Sequence, residues 1–217
     1  MKLIEPSLLS IDKNNAKAQL EKIKSLGIRF VHYDVMDGQF VPAKAYTNEY
    51  LDKIERLNLK ANVHLMLNKP EEWIDNYFNN SVNSIVFHVE TQSIPESKQI
   101  LDKIHEHGKL AGISVKPNTD LNQYVQLFDS CDIILVMSVE PGFAGQGFLE
   151  QAKININKAQ QIKKTHPNIV IQIDGGINDA KIKEWYKHID WFVTGSWFFK
   201  NIDHMDQYLQ EFEKLNN

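Results

Sequence analysis

The amino-acid sequence predicts a (β/α)8 barrel, and two observations support this fold class. Eight runs rich in β-branched and aromatic residues alternate with segments of helical periodicity along a chain of 217 residues, which is the order and length of such a barrel. The polar residues able to do chemistry also fall at the ends of those runs. An open doubly wound sheet is the alternative, but no Gly-x-Gly-x-x-Gly pattern follows the first run.

In the first half of the chain, strands are predicted at residues 3–9, 28–35, 59–65 and 84–89. Asp12, Asn14 and Asn15 are expected to cap the first helix, whose apolar residues recur at helical spacing until Gly27 ends it. A loop over 38–47 leads to a short helix over 48–57. Pro70 is tolerated in the first turn of a helix, so a helix is predicted from there through Phe78.

In the second half, strands are predicted at residues 110–115, 132–139, 169–174 and 190–194. The run 132–139 is nearly all apolar, as expected of a strand buried on both faces. A glycine-rich loop over 140–147 follows it. Helical periodicity is found over 95–107, 121–128, 179–186 and 204–215, in the segment that ends at Lys164, and in a short turn over 197–200.

Composition limits the classes of function. The length and the lack of a linker predict one domain, residues 1–217. A net charge of -4 offers no basic surface for nucleic acid or a membrane. We find no signal peptide and no run of apolar residues long enough to span a bilayer, and the lone Cys131 fits a reducing compartment. We therefore expect a cytoplasmic protein.

The end of the second strand, His-Tyr-Asp-Val-Met-Asp-Gly, is the first candidate site. Side chains alternate along a strand, so His32, Asp34 and Met36 share one face. His64 and Asp174 end the third and seventh strands, and strand ends converge at one face of a barrel. These imidazoles and carboxylates predict one divalent metal ion. Zn2+ is the first choice, and Fe2+, Mn2+ or Co2+ remain open because mixed N and O ligands discriminate weakly.

Glycine-rich loops follow the sixth, seventh and eighth strands, at 142–145, 175–176 and 195–196. Glycine lets backbone N–H groups approach an anion closely, and barrels often bind phosphate after their last strands. The loops therefore predict a phosphate site, with the turn at Ser196 as the short extra helix.

A metal ion between two carboxylates and a phosphate site favours proton abstraction beside a carbonyl, with the metal as a Lewis acid on the resulting ene-diolate. Inversion at carbon needs one acid/base group on each face, which Asp34 and Asp174 can supply. An aldose-ketose isomerase needs only one base, so the pair indicates epimerisation.

Five segments, at 6–10, 32–42, 63–66, 137–146 and 174–176, closely resemble ribulose-phosphate 3-epimerases, in the right order and over nearly the whole chain. The resemblance implies a TIM barrel of the ribulose-phosphate binding type. It also implies interconversion of D-ribulose 5-phosphate and D-xylulose 5-phosphate in the pentose phosphate pathway, and a homo-oligomeric assembly.

The resemblance also implies roles for individual residues. Metal ligands are expected at His32, Asp34, His64 and Asp174, with Asp34 and Asp174 also acting as the acid/base pair. Substrate contacts are expected at Ser7, His64, Met36, Met66 and Met137. Phosphate contacts are expected at Gly142, Phe143, Ala144, Gly145, Gly175, Gly176, Gly195 and Ser196. Apart from the resemblance, Asp37 is interpreted as a structural residue that caps the loop. His88 and Glu90, at the end of the fourth strand, are within reach of the pocket rim, but solvated or hydrogen-bonded roles are favoured for them.

Departures from the family pattern leave the substrate open. The loop over 43–47, Ala144, Gly147 and Trp197 differ from the usual residues, which would suit a six-carbon ketose phosphate such as allulose 6-phosphate. A barrel related to orotidine-phosphate decarboxylase is disfavoured because Asp34-Val35-Met36 lacks that group's lysine. A non-catalytic sugar-phosphate binding relative is the remaining alternative.

Overall fold

The computed structural model describes residues 2–45 and 50–216. Its strands are β1 (Leu3–Pro6), β2 (Phe30–Asp37), β3 (Lys44–Ala45), β4 (Lys60–Met66), β5 (Val82–His88), β6 (Leu110–Val115), β7 (Ile133–Met137), β8 (Val170–Asp174) and β9 (Trp191–Thr194). They pair in the order β1-β9-β8-β7-β6-β5-β4-β2-β3, and all pairs are parallel except that of β2 with β3. A parallel bridge between Ser7 and His32 brings the end of β1 to β2. The predicted (β/α)8 fold is therefore confirmed, with the eight long parallel strands in barrel order.

The α-helices are α1 (Ala16–Ser25), α2 (Leu51–Arg56), α3 (Ile94–Glu106), α4 (Ala152–Thr165), α5 (Asp179–Trp185), α6 (Ser196–Lys200) and α7 (Met205–Glu213). The start of α3 is the best defined, because Ser93 and Glu96 form a reciprocal capping box. Within the described part of the chain, every helix is too short or too polar to cross a lipid bilayer.

Four predictions of local structure are wrong. The segment after Pro70 forms two 3-10 turns, Pro70–Glu72 and Ile74–Tyr77, and Leu121–Ser130 is also 3-10 with a non-helical residue inside. Both segments are short and rich in aromatic, β-branched and Asn residues, which favour the α-helix weakly.

The other two errors concern a cap and a loop. The N-cap Asn15 makes no side-chain bond to α1, and the Asp12 carboxylate instead accepts a hydrogen bond from the backbone N–H of Asn14. The predicted loop over 38–47 contains β3, which pairs with Met36 and Asp37. Residues 46–49 lie outside the described part of the chain. They are the last two residues of the predicted loop and the first two of the helix predicted at 48–57.

Buried polar side chains lie inside the barrel, and they surround the candidate site. Residues facing outward from the strands pack with the helices in the main core, and include Tyr33 and Val35. Alternation puts a second set inside the barrel. Its fully buried polar members are Glu5, His32, Asn62, His64, Ser84, His88, Ser114 and Gln172.

Candidate active site

Two imidazoles and two carboxylates meet at one end of the barrel. His32 Nε2 lies 3.4 Å from Asp34 Oδ1 and 3.8 Å from Asp174 Oδ2. His64 Nδ1 lies 3.5 Å from Asp34 Oδ1 and 3.9 Å from Asp174 Oδ2. The two imidazole nitrogens are 3.4 Å apart. The sequence prediction that these four side chains converge is therefore confirmed.

Strand register explains why the four groups meet. His32 and Asp34 alternate along β2, and Asp34 stands directly beside His64 of β4 in the parallel ladder. Asp174 is the last residue of β8, beside Met137 of β7. Two strands, β9 and β1, lie between β8 and β2 in the sheet order, so Asp34 and Asp174 approach the centre from different sides.

Hydrogen bonds hold the second strand's carboxylates in place. Ser7 Oγ donates to Asp34 Oδ2 at 2.6 Å, which leaves Oδ1 directed at the two imidazoles. Asp37 points elsewhere, and its carboxylate accepts from the backbone N–H groups of Gln39, Phe40 and Asn68. The interpretation of Asp37 as a loop cap is confirmed.

Burial and mutual charge shift the pKa values of the group in opposite directions. Burial, followed by the negative charges of Asp34 and Glu5, raises the pKa of Asp174 to about 7, against the effect of His32. Burial also opposes ionisation of Asp34, but the adjacent His32 and His64 hold its pKa far below the usual range. Burial and the neighbouring imidazoles lower the pKa of His64 to about 3. The site therefore holds two closely spaced and largely buried carboxyl groups beside two buried imidazoles.

The donor set fits a divalent metal ion. One ligand atom from each of His32, Asp34, His64 and Asp174 lies within 4.8 Å of the other three. Four ligands ~2.1 Å from one ion at tetrahedral corners are about 3.4 Å apart, close to the imidazole–carboxylate separations found here. His32 Nδ1, on the side of the ring facing away from the cluster, has no hydrogen-bond partner in the described residues. The cluster could thus bind a metal ion through imidazole nitrogen and carboxylate oxygen.

A cavity of about 500 Å³ opens above this cluster. Asp34 and Asp174 line its floor, whereas His32 and His64 are buried beneath it. The three predicted substrate methionines line the same floor and are almost fully buried: Met36, Met66 and Met137. Ser7 also lines it.

The predicted phosphate residues all line the other end of this cavity: Gly142, Phe143, Ala144, Gly145, Gly175, Gly176, Gly195 and Ser196. Phe143 is 58% exposed. Gln146 stabilises the loop over 140–147, because its side-chain amide donates to the backbone carbonyls of Glu140 and Phe143. Ala144 does not have a positive φ, so its side chain causes no backbone strain there.

Sequence reasoning missed several residues of the site. Lys181 and Lys200 line the same cavity. Glu5 is fully buried, with Oε2 lying 3.8 Å from His32 Nδ1 and accepting a hydrogen bond from the Gln172 amide at 2.9 Å. Alternation along β1 could have found Glu5, since it shares a face with Ser7.

His88 and Glu90 are hydrogen-bonded, which is one of the two roles favoured from the sequence, and the solvated role is wrong for the buried His88. His88 is fully buried, and its Nε2 lies 3.1 Å from His64 Nε2. Its Nδ1 lies 3.0 Å from Glu90 Oε2. Burial opposes ionisation of Glu90, but hydrogen bonds from His88 and from the backbone N–H of Lys116 hold its pKa at about 2.

Known proteins of similar sequence point to one family. The profile of the ribulose-phosphate 3 epimerase family matches residues 3–199. A protein of Mycoplasma genitalium named ribulose-phosphate 3-epimerase is 38% identical over 195 residues, covering 89% of this chain and 90% of that protein. One of the same name from Mycobacterium tuberculosis is 34% identical over 200 residues, covering 89% and 84%.

Solved structures agree on the fold. A tryptophan synthase structure from Mycobacterium tuberculosis aligns with a TM-score of 0.67 at 13% identity, over 97% of this chain and 89% of that chain. At this identity the likeness shows the barrel architecture alone.

Proposed function

The chain belongs to the ribulose-phosphate 3-epimerase family, and we propose that it interconverts D-ribulose 5-phosphate and D-xylulose 5-phosphate with a divalent metal ion in its site. It is an epimerase acting on carbohydrates. The observation that carries the proposal is the placement of Asp34 and Asp174, which reach one cavity floor from strands on different sides of a buried imidazole pair.

The phosphate end of the cavity would fix the substrate. Backbone N–H groups of the glycine loops and the nearby side chains of Lys181 and Lys200 would hold the phosphate. The sugar carbons would then lie over Met36, Met66 and Met137, whose buried thioethers keep water away from the reacting carbon.

The two carboxylates would carry the proton. One accepts the proton from C3, and the C–H bonding electrons form the C2–C3 double bond of an ene-diolate as charge moves to the C2 oxygen. The other, in its protonated form, donates a proton to the opposite face of C3. Charge returns from oxygen, the carbonyl re-forms and C3 is inverted. Ser7, which donates a hydrogen bond to Asp34 Oδ2, holds that carboxylate in position throughout the reaction.

His32, Asp34, His64 and Asp174 would hold the metal, for which we propose Zn2+, with Fe2+, Mn2+ or Co2+ as alternatives. Such an ion supplies positive charge that offsets the negative charge developing on the substrate oxygens. The family resemblance also supports a homo-oligomer, which sedimentation velocity would test.

Isotope exchange tests the reaction. Protein supplied with Zn2+ and D-ribulose 5-phosphate in D2O should produce D-xylulose 5-phosphate carrying deuterium at C3, observed by NMR. Asp174→Asn should lower the rate of inversion by at least ~100-fold, because one face of the substrate has lost its acid/base group. Asp206→Asn, an exposed carboxylate on α7, should leave it unchanged. A wild-type protein that exchanges no C3 proton and forms no product would refute the proposal and leave a sugar-phosphate binder.

The six-carbon alternative rests on Trp197, which lines the cavity directly after Ser196. A ratio of kcat/KM for D-ribulose 5-phosphate over D-allulose 6-phosphate decides between the two. We expect this ratio to be well above one, and a ratio below one would assign the six-carbon substrate.

A further inference from the structure

A row of three side chains leads away from the candidate metal cluster into the barrel wall. Glu90 Oε2 lies 3.0 Å from His88 Nδ1, and His88 Nε2 lies 3.1 Å from His64 Nε2. The far side of the His64 ring, Nδ1, faces the cluster, 3.5 Å from Asp34 Oδ1. We call Glu90, His88 and His64 the imidazole relay. Both imidazoles are fully buried, so water cannot replace these contacts.

The relay permits one arrangement of protons when its imidazoles are neutral. An ionised carboxylate only accepts hydrogen bonds, so Glu90 requires the proton of His88 to be on Nδ1. A neutral imidazole carries a single N–H, which makes His88 Nε2 an acceptor. His64 must then donate from Nε2, and its Nδ1 is left with a bare lone pair facing Asp34.

We propose that Glu90 and His88 are positioning residues that fix the tautomer of His64, so that Nδ1 is presented to the metal. The tautomer itself follows from the relay alone, and the role in metal binding rests on the proposed function. Metal-ligating histidines commonly donate their other N–H to a partner that fixes tautomer and ring orientation. Here that partner is a second imidazole, oriented in turn by a carboxylate.

Packing and further bonds hold the relay rigid. The His88 ring stacks on the His64 ring, with centroids 5.0 Å apart at 30°, and contacts the Phe40 ring at 4.7 Å. The second oxygen of Glu90 accepts from the backbone N–H of Lys116 at 2.6 Å. Glu90 is therefore anchored by a donor that cannot reverse its direction.

The Lys116 anchor makes one substitution diagnostic. In Glu90→Gln, the amide oxygen should keep the Lys116 N–H, because a backbone amide can only donate. The amide –NH2 then faces His88 Nδ1, which has to accept. His88 must donate from Nε2, His64 Nε2 must accept, and the His64 proton moves to Nδ1, where it blocks the metal. The substitution thus reverses the relay at almost constant volume.

Nitrogen NMR reads the tautomers directly. Metal-free protein labelled with 15N-histidine should show at pH 8 a protonated Nε2 and a bare Nδ1 for His64, and a protonated Nδ1 for His88. Glu90→Gln should reverse both assignments. A wild-type His64 protonated at Nδ1, or a folded Glu90→Gln protein with unchanged tautomers, would overturn the proposal.

Titration with Co2+, followed by absorbance and chelator competition, reads the consequence for metal binding. Glu90→Gln should weaken Co2+ binding by about 10- to 100-fold, the usual effect of losing a partner of a metal-bound histidine. His88→Phe, which keeps a ring between Phe40 and His64 but removes the acceptor, should weaken it by at least ~10-fold. It serves as the second variant if Glu90→Gln does not fold.

Asp132→Asn is the matched control. The Asp132 carboxylate also bonds an imidazole and a backbone N–H, His105 Nε2 at 2.7 Å and Ala111 N at 2.9 Å, but at the opposite end of the barrel. It should bind Co2+ within about 2-fold of the wild type. If Glu90→Gln and His88→Phe also bind Co2+ within about 2-fold of the wild type, the relay has no part in metal binding. If the wild type itself binds no Co2+, the metal in the proposed function is wrong, and the NMR assignments still decide whether the relay sets the tautomer.

Discussion

Gly176 is the position where the glycine-rich end of the cavity tolerates a side chain least. Its φ is +64°, and a Cβ there would lie 2.4 Å from the backbone N of Phe148 and 2.9 Å from the carbonyl carbon of Gly147. Both neighbours are backbone atoms, so no side-chain rotation can relieve the overlap. Gly176→Ala therefore combines a strained backbone with a forced displacement of the adjacent loop.

Two other glycines separate these contributions. Gly108 has a φ of +68° with nothing within 4 Å of the added Cβ, so Gly108→Ala should cost only the strain, about 1–2 kcal/mol. Gly147 has open space and no positive φ, so Gly147→Ala should change the free energy of unfolding by less than about 0.5 kcal/mol. Forced packing adds about 1–3 kcal/mol. Gly176→Ala should thus cost about 2–5 kcal/mol. The smaller entropy of unfolded Ala affects all three variants alike and cancels in their differences.

Urea unfolding at 25 °C, monitored by circular dichroism, measures the three free energies. We expect the order Gly176→Ala, Gly108→Ala, Gly147→Ala from most to least destabilised. In addition, the KM of Gly176→Ala for D-ribulose 5-phosphate should rise about 10-fold, equivalent to ~1.4 kcal/mol of lost binding. If Gly176→Ala lies within about 0.5 kcal/mol of Gly108→Ala, the loop yields freely and the reasoning from the backbone overlap is wrong.

Two further predictions concern buried carboxylates. Ser7→Ala removes the hydroxyl that donates to Asp34 at 2.6 Å, and hydrogen bonds to charged groups contribute about 1.5–3 kcal/mol, so kcat/KM should fall at least ~10-fold. The control is Ser97→Ala in α3, which removes a buried hydroxyl that has no hydrogen-bond partner among the described residues and should leave kcat/KM unchanged. Equal kcat/KM values for the two variants would contradict the role of Ser7. Glu90 has a folded pKa of about 2 against an ordinary 4.5, so its carboxylate stabilises the fold above pH 4.5 and loses this effect as pH falls toward 2. The metal-free wild type should exceed Glu90→Gln in unfolding free energy by about 3 kcal/mol at pH 6, and this difference should shrink at pH 3. A difference independent of pH in urea titrations would show that the charge of Glu90 contributes nothing.

The eight barrel strands were predictable because their residues carry a local signal, which the two-residue β3 lacks. The run from Ile133 to Met137 is buried on both faces and therefore apolar throughout, so its sequence alone marks it as a central strand. The segments 70–77 and 121–130 carry no comparable signal. Their apolar residues recur at helical spacing, but their aromatic, β-branched and Asn residues favour the α-helix only weakly, and both segments form 3-10 turns.

The convergence of His32, Asp34, His64 and Asp174 was predictable for a different reason. His32 and Asp34 share a strand face by alternation, and all barrel strands end at one rim, so His64 and Asp174 had to approach them. The depth of a residue has no such rule. The contact of His88 with His64 was not predicted, because strand order says nothing about how far a side chain reaches into the barrel.

Burying polar side chains inside the barrel lowers the stability of the fold, but the same side chains orient the imidazoles of the cluster. Several buried atoms there lack hydrogen-bond partners in the described residues, among them Glu5 Oε1, Gln172 Oε1 and His32 Nδ1. An apolar filling would avoid the desolvation of such groups, which is about 1–3 kcal/mol each. These residues lie next to the cluster, and Glu5 Oε2 approaches the side of His32 that faces away from it, as His88 does for His64. With His88 in the proposed tautomer, the outward nitrogens of both imidazoles lie next to acceptor groups, which would leave the inward nitrogens free to bind a cation. The interior gives up stability in the metal-free state, and a bound ion would restore it by linkage.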